Sequence, residues 1–280
     1  TYFYRLALDL GIDRISEFMS SYGFGHPTGV DLPGEASGIV PSREWKARHS
    51  KERTWYPGET VIAGIGQGYW SVTTMQLAHA LAIFAGRGMP YAPRVVMSTA
   101  DVGKPPVPLA NPPAGPSLIK NMKDWEAVNE GMQLVIYSND PTSTGFGTKL
   151  GEGFPYRIAG KSGTAERFSR TSNAYNENKN TAYLAARHRA WFEAFTPAED
   201  PRIAVAVVLE AGAWGAKDAG PIARKILDAW LATQGGAVPA NKPLPESGLP
   251  AAASSTQTPE DTPQGDMPAP DSSSAGDDTP

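Results

Sequence analysis

The chain has 280 residues, no cysteine, and 25 Lys and Arg against 29 Asp and Glu, a formal net charge of −4. These features exclude disulfides and thiol catalysis, a basic stripe for nucleic acid, and, because no apolar run is long enough, a membrane-spanning helix within the sequence given. The charge is uneven. Residues 236–280 hold seven acidic residues against Lys242, nine prolines and no aromatic residue, which leaves residues 1–235 near +2. Such a tail buries too little apolar surface to offset its ordering entropy, so it is read as disordered. Residues 1–235 suffice for one sizeable core.

Tyr2, Phe3, Leu6, Ala7 and Leu10 fall at helical spacing and stop at Gly11, with no capping residue ahead of them. The chain is therefore read as starting inside or just before a buried helix, as the C-terminal part of a longer polypeptide. Asp13 is placed as the cap of a second helix running to Ser21. Residues 22–60 are rich in Gly, Pro and polar residues and are read mostly as loop. Thr73 or Thr74 opens a helix to about Ala85, ended by Gly86-Arg87-Gly88. A short strand is placed at 93–96 and a Pro-rich connection at 104–116. Ser117 or Asp124 starts the next helix, with Trp125, Val128, Met132 and Val135 along it. A Gly-rich loop covers 138–154. Strands follow at 156–166, 190–196 and 202–210, the last two as a hairpin, with a polar loop at 167–189. Pro221 leads a closing helix with Ile222, Ile226, Leu227 and Trp230 on one face. Three late strands and amphipathic helices predict an α+β fold, an antiparallel sheet flanked by helices.

The most informative stretch is Lys161-Ser162-Gly163-Thr164-Ala165-Glu166. A Lys-[Ser/Thr]-Gly triplet on a strand is one of three sequence marks of serine enzymes that act on penicillins and D-Ala-D-Ala peptides. Lys161 supplies positive charge and the hydroxyls of Ser162 and Thr164 can bond a carboxylate. Gly163 lets a ligand backbone lie against the strand. Other patterns carry less. Gly64-Ile65-Gly66-Gln67-Gly68 lacks both the preceding strand and the Lys-[Ser/Thr] of a phosphate loop, so its glycines are read as structural. His26, His49, His79 and His188 have no metal-like spacing. His79 is read as helix packing, and His188 as a residue able to line a groove. Trp55, Tyr56, Tyr69 and Trp70 are read mainly as packing.

Gly64 to Ala78, together with Tyr22 to Glu35, Gly38, Pro41 and Trp45, resembles segments of the class B penicillin-binding proteins, and with Lys161 to Thr164 nearly all of residues 1–235 follows that family's order. Arg43-Glu44-Trp45-Lys46 and Gly68-Tyr69-Trp70 resemble the elongation-type members most. The resemblance implies the penicillin-binding serine transpeptidase fold, with Ser-x-x-Lys and Ser-x-[Asn/Asp] motifs ahead of Thr1. It implies that Lys161 is catalytic, that the Thr164 N–H is an oxyanion donor, and that Ser162, Gly163, Thr164 and Glu166 line the substrate. It implies peptidoglycan stem peptides and β-lactams as ligands, and no cofactor. It also implies a glycosyl-polymerising membrane partner and shape-determining proteins, at the bacterial inner membrane with this domain in the periplasm. A β-lactamase, a D,D-carboxypeptidase and a non-catalytic sensor of wall fragments stand as alternatives. Ser117-Leu118-Ile119-Lys120 and Ser138-Asn139-Asp140 imitate the first two motifs, but all three would crowd into 47 residues. They are read as decoys, with Ser117 as a helix cap.

Overall fold

The computed structural model describes residues 2–110, 115–165 and 188–234. The readings placed on Glu166, on most of the 167–189 loop and on the tail lie outside these residues.

Helix α1 (Tyr2–Leu10) ends at Gly11, whose φ of 76° suits glycine. It buries only Ala7, and Tyr2 and Phe3 are exposed, so it is not the buried helix expected. Helix α2 (Ile12–Ser21) follows at once. Asp13 is not its cap: it lies in the first turn and accepts a hydrogen bond from Arg43 Nε at 3.1 Å. The expected loop over 22–60 contains two seven-residue helices, α3 (Arg43–His49) and α4 (Pro57–Ala63). Both are too short for periodicity to reveal, but both carry start signals. Ser42 Oγ accepts from the Trp45 N–H, and α4 has Pro57 in its first turn with Glu59 accepting from the Tyr56 N–H. Helix α5 (Thr74–Ala85) begins as predicted. Thr73 Oγ1 and Gln76 Oε1 each accept the other residue's N–H at 3.0 Å, a reciprocal capping box.

The strand expected at 93–96 is displaced. Asp31 accepts the N–H groups of Val95 and Val96, which a side chain thereby takes from any ladder. The pairing falls instead between β1 (Ser98–Thr99) and β2 (Val107–Pro108). Helix α6 (Met122–Tyr137) is capped by Asn121, not by Ser117 or Asp124. Its buried face is Trp125, Asn129, Gln133 and Ile136, one position off the expected apolar stripe. Two amides are buried there because each has a partner. Asn129 Nδ2 donates to Ala198 O, and Gln133 Oε1 accepts from Arg157 Nε.

Strands β3 (Ala159–Ala165), β4 (Arg189–Thr196) and β5 (Ile203–Leu209) form an antiparallel sheet in the order β3-β4-β5. The hairpin is as predicted. A π-helical turn (Gly215–Ala219), absent from the sequence reading, leads into α7 (Gly220–Thr233). Helix α7 buries Ala223 and Leu227, one turn apart, while Ile222 and Ile226 stay exposed, so the expected face is rotated. One sheet face puts Phe192, Ala194, Val205 and Val207 against α7, the π turn, Ile136 and Leu150. The other puts Ala159 and Phe195 against Leu81, Phe84 and Ala85 of α5. Helices thus cover both faces, as expected, and β3 is left with one unpaired side among the described residues.

Candidate active site

Cross-strand partners share a sheet face. Lys161 pairs with Glu193 and Gly163 with Trp191, on the face toward α5. Ser162 pairs with Phe192 and Thr164 with Ala190, on the face toward α7. Four of the five residues singled out from the sequence, Lys161 to Thr164, therefore lie on one strand, with the Lys161 side chain on the opposite face from Ser162 and Thr164. What they share is the strand's open edge.

Along an antiparallel strand, each residue's N–H and C=O point to the same side, and the sides alternate. Lys161 Nζ donates to Ser162 O at 2.6 Å, and Gln67 Nε2 donates to Thr164 O at 3.0 Å. Neither donor belongs to β4, so the main-chain groups of Ser162 and Thr164 face the open edge. A Cβ on Gly215 would meet Gly163 O, Gly163 N and Trp191 O, all within 3 Å. The polar groups of Gly163 thus turn inward to β4, under the π turn. The alternation places the Thr164 N–H on the open edge, as an oxyanion donor requires.

The electrostatics centre on Lys161 and Glu193. The surroundings of the Lys161 ammonium hold its pKa below the ordinary lysine value by desolvation, although the residue keeps an exposed surface, and the Glu193 charge opposes that shift. Burial pushes the Glu193 carboxyl up to about 7 against the pull of Lys161. Near neutral pH a lysine and a carboxyl close to half-protonation therefore stand side by side across two strands. Sequence reasoning missed Glu193. The hairpin was legible, but the register that pairs Glu193 with Lys161 was not.

Gln67 was also missed. Its loop closes α4: Gly66 (φ 75°) and Gly68 (φ 81°) adopt left-handed backbone on either side of it, and its N–H donates to Ile62 O at 3.2 Å. Behind the loop, Lys46 Nζ donates to Glu59 Oε1 and to Thr54 O, both at 2.6 Å, and Tyr69 Oη donates to the same Glu59 oxygen at 3.0 Å. Trp70 Nε1 donates to Ala63 O, and Trp55 is buried. Trp55 and Trp70 thus brace the loop, in keeping with their reading as packing, while Tyr56 and Tyr69 are exposed, the latter tied to Glu59 by its hydroxyl.

The decoys take no part. Ser117 Oγ donates to Arg87 O at 2.8 Å and accepts the Ile119 N–H at 3.1 Å. It ties a local turn rather than capping a helix. Ser138 terminates α6 and its Oγ accepts the Asp140 N–H. His188 directly precedes β4, with Nδ1 buried and unpartnered among the described residues. His79 Nε2 bonds Tyr91 O. Among the described residues, no group of three His, Cys, Asp or Glu could hold a metal, and no helix is long and apolar enough to cross a membrane.

The chain has known relatives. Residues 1–228 match the family of the penicillin binding protein transpeptidase domain. The chain is 42% identical over 229 residues to the peptidoglycan D,D-transpeptidase MrdA of Escherichia coli K12, which covers 81% of this chain and 35% of that protein. It is 38% identical over 234 residues to the MrdA of Haemophilus influenzae, over 82% of this chain and 34% of the relative. The chain therefore spans about a third of the length of these relatives. Among solved structures, the PBP2 of Pseudomonas aeruginosa superposes with a TM-score of 0.66 at 40% identity, over 86% of this chain and 47% of that one. The PBP2 of Helicobacter pylori, solved in complex with MreC, gives 0.64 at 28% identity, over 84% and 38%.

Proposed function

Because the chain belongs to the penicillin-binding protein transpeptidase family, we propose that the open edge of β3 is one wall of a serine acyl-transfer site in a peptidoglycan D,D-transpeptidase. The observation that carries this is the edge itself. Lys161 stands at it as a cation, and the Thr164 N–H points away from β4. An extended peptide can add to such an edge as a further strand.

In this reading the nucleophilic serine lies outside residues 1–280. Its hydroxyl attacks the carbonyl of the penultimate D-Ala of a stem peptide. The Thr164 N–H donates to the oxyanion that forms. The terminal D-Ala leaves with a proton, giving an acyl-enzyme. The amine of a second stem peptide attacks that ester, closing the cross-link and freeing the serine. Lys161 attracts the substrate carboxylate and polarises the proton relay, while the hydroxyls of Ser162 and Thr164 donate to the carboxylate. A β-lactam enters the same path, because ring opening leaves its leaving group attached. The whole protein works at the inner membrane with this domain in the periplasm, beside a glycosyl-polymerising enzyme and shape-determining proteins. The MreC complex of the Helicobacter pylori relative supports the last of these.

The test is acylation of the full polypeptide containing this chain by a fluorescent penicillin, with release of D-Ala from a stem peptide followed in parallel. The expected result is a label surviving denaturation on a serine outside residues 1–280, with transfer to an amine acceptor. A label on Ser117, or no label at all, would contradict the reading. Release of D-Ala to water alone would make the protein a carboxypeptidase.

A further inference from the structure

We infer that Gln67 is a positioning residue of the acyl-transfer site, holding the Thr164 peptide so that its neighbouring N–H stays aimed at the reacting carbonyl. This rests on the transpeptidase reading above. It gives the Gly64-to-Gly68 segment a task in the site that the sequence reading did not assign.

Three observations carry it. First, the Gln67 amide reaches across 97 residues of sequence to donate to Thr164 O at 3.0 Å. That oxygen lies on the unpaired side of β3, where no neighbouring strand among the described residues takes it up, while the N–H of the same peptide, on Ala165, turns to Arg189 of β4. The plane on the other side of Thr164 begins at Gly163, whose polar groups turn to Trp191 of β4. The sheet thus takes up one atom of each peptide flanking Thr164, and on the open side a single side chain takes up the carbonyl. Without that bond each peptide is held to the sheet at one atom only and can tilt about it, and the direction of the Thr164 N–H tilts with it.

Second, the donor is itself fixed. Gly66 and Gly68 take backbone angles that a Cβ disfavours, at φ 75° and 81°, and they turn the loop tightly around Gln67. Main-chain bonds from Gly66 N to Ala63 O at 3.0 Å and from Gln67 N to Ile62 O at 3.2 Å tie the loop to the end of α4. Gly64 packs so closely that a Cβ there would lie 2.2 Å from Ala7 Cβ, which seats the end of α4 on α1.

Third, the residue type suits the task. A glutamine amide offers a neutral N–H donor to a carbonyl. A lysine there would add charge beside Lys161, and a glutamate would lack the proton.

The experiment measures acylation of the full polypeptide by a penicillin, separating the rate constant of the covalent step from the dissociation constant of the preceding complex. Gln67→Ala is expected to slow the covalent step roughly tenfold, less than the loss on removing an oxyanion donor outright. The dissociation constant and the unfolding midpoint should change little. Gln67→Glu supplies the control that a structural role would not pass. Ionised, its carboxylate cannot donate to Thr164 O; protonated, it can. Its rate relative to wild type should therefore recover as pH falls from about 7.5 to about 4.5, into the ordinary carboxyl range.

Gln67→Ala acylating as fast as wild type, or faster, would overturn the proposal, the faster case making Gln67 a side chain that ligands must displace. A Gln67→Glu deficit that is constant across pH would overturn it too, by tracing the loss to packing. If the wild type itself is not acylated, the transpeptidase reading fails and takes this proposal with it.

Discussion

The three-stranded sheet and the segment from Tyr22 to Trp70 each bury side chains, but by opposite means. The sheet buries Phe192, Phe195, Val205 and Val207 on alternate faces against helices, and none of these side chains needs a polar partner. The earlier segment also buries polar groups, several of them tied to named partners. Lys46 is 1% exposed and bonds Glu59 and Thr54. The Trp55 indole donates to Thr60 Oγ1 at 2.9 Å. Gln76, at the head of α5, donates to His26 O and Ser37 O, stitching the segment to that helix. Apolar packing is non-directional and makes a platform. Paired polar groups fix directions. The first region supplies the strand, and the second aims Gln67 at its edge.

The comparison breaks most visibly at Phe195. Phe195→Ala should cost about 3–5 kcal/mol in denaturant unfolding, because the fully buried ring leaves a cavity between the sheet and α5. A loss below about 1 kcal/mol would mean that the site collapses freely and that this face is not close-packed.

The polar region should answer more modestly. Trp55→Phe keeps most of the ring and removes one buried donor, so about 1–2 kcal/mol is expected, with the Thr60 hydroxyl left unpaired. Were the variant as stable as wild type, the claim that paired polar groups hold this segment would be wrong for its most buried pair.

Glu193 sharpens the comparison, because it is a carboxyl set into the apolar platform. Its folded pKa of about 7 lies above an unfolded value near 4.5. The native state then holds the extra proton between those values, so wild-type stability falls as pH rises through that window and is flat above it. The ceiling on this loss is about 3 kcal/mol, reduced because the residue keeps some surface and Lys161 opposes the shift. Glu193→Gln should match wild type near pH 4.5 and exceed it at pH 8 in urea midpoint. Parallel pH profiles for the two proteins would show that Glu193 titrates as an ordinary surface carboxyl. In the same variant the Lys161 pKa should fall further, since the charge that opposes its desolvation is gone.

How far the sequence reveals each region follows from the same contrast. Helix α5 was legible through Thr73 and Gln76, a local start signal, and the β4–β5 hairpin through its apolar runs. Helices α3 and α4 were not, because seven residues carry no periodicity and their partners are distant: Lys46 meets Glu59, and Trp45 stacks tilted on Tyr69 at 5.2 Å. The buried face of α6 was misjudged because Asn129 and Gln133 are buried through bonds to Ala198 and Arg157, residues in other elements. In the site, Lys161 to Thr164 stood out as a motif. Glu193 and Gln67 did not, because one depends on strand register and the other on a contact 97 residues away.

The central claim is that the β3 edge acts through Lys161 rather than merely supporting the fold. The most direct measurement is the second-order rate of penicillin acylation for Lys161→Ala in the full polypeptide, taken with its unfolding midpoint. Lys161 is exposed and contributes nothing to either apolar cluster. The account predicts a rate lowered by about 10²–10³-fold, the scale of removing one preorganised electrostatic group, at an unchanged midpoint. A well-folded Lys161→Ala protein that acylates at the wild-type rate would contradict it.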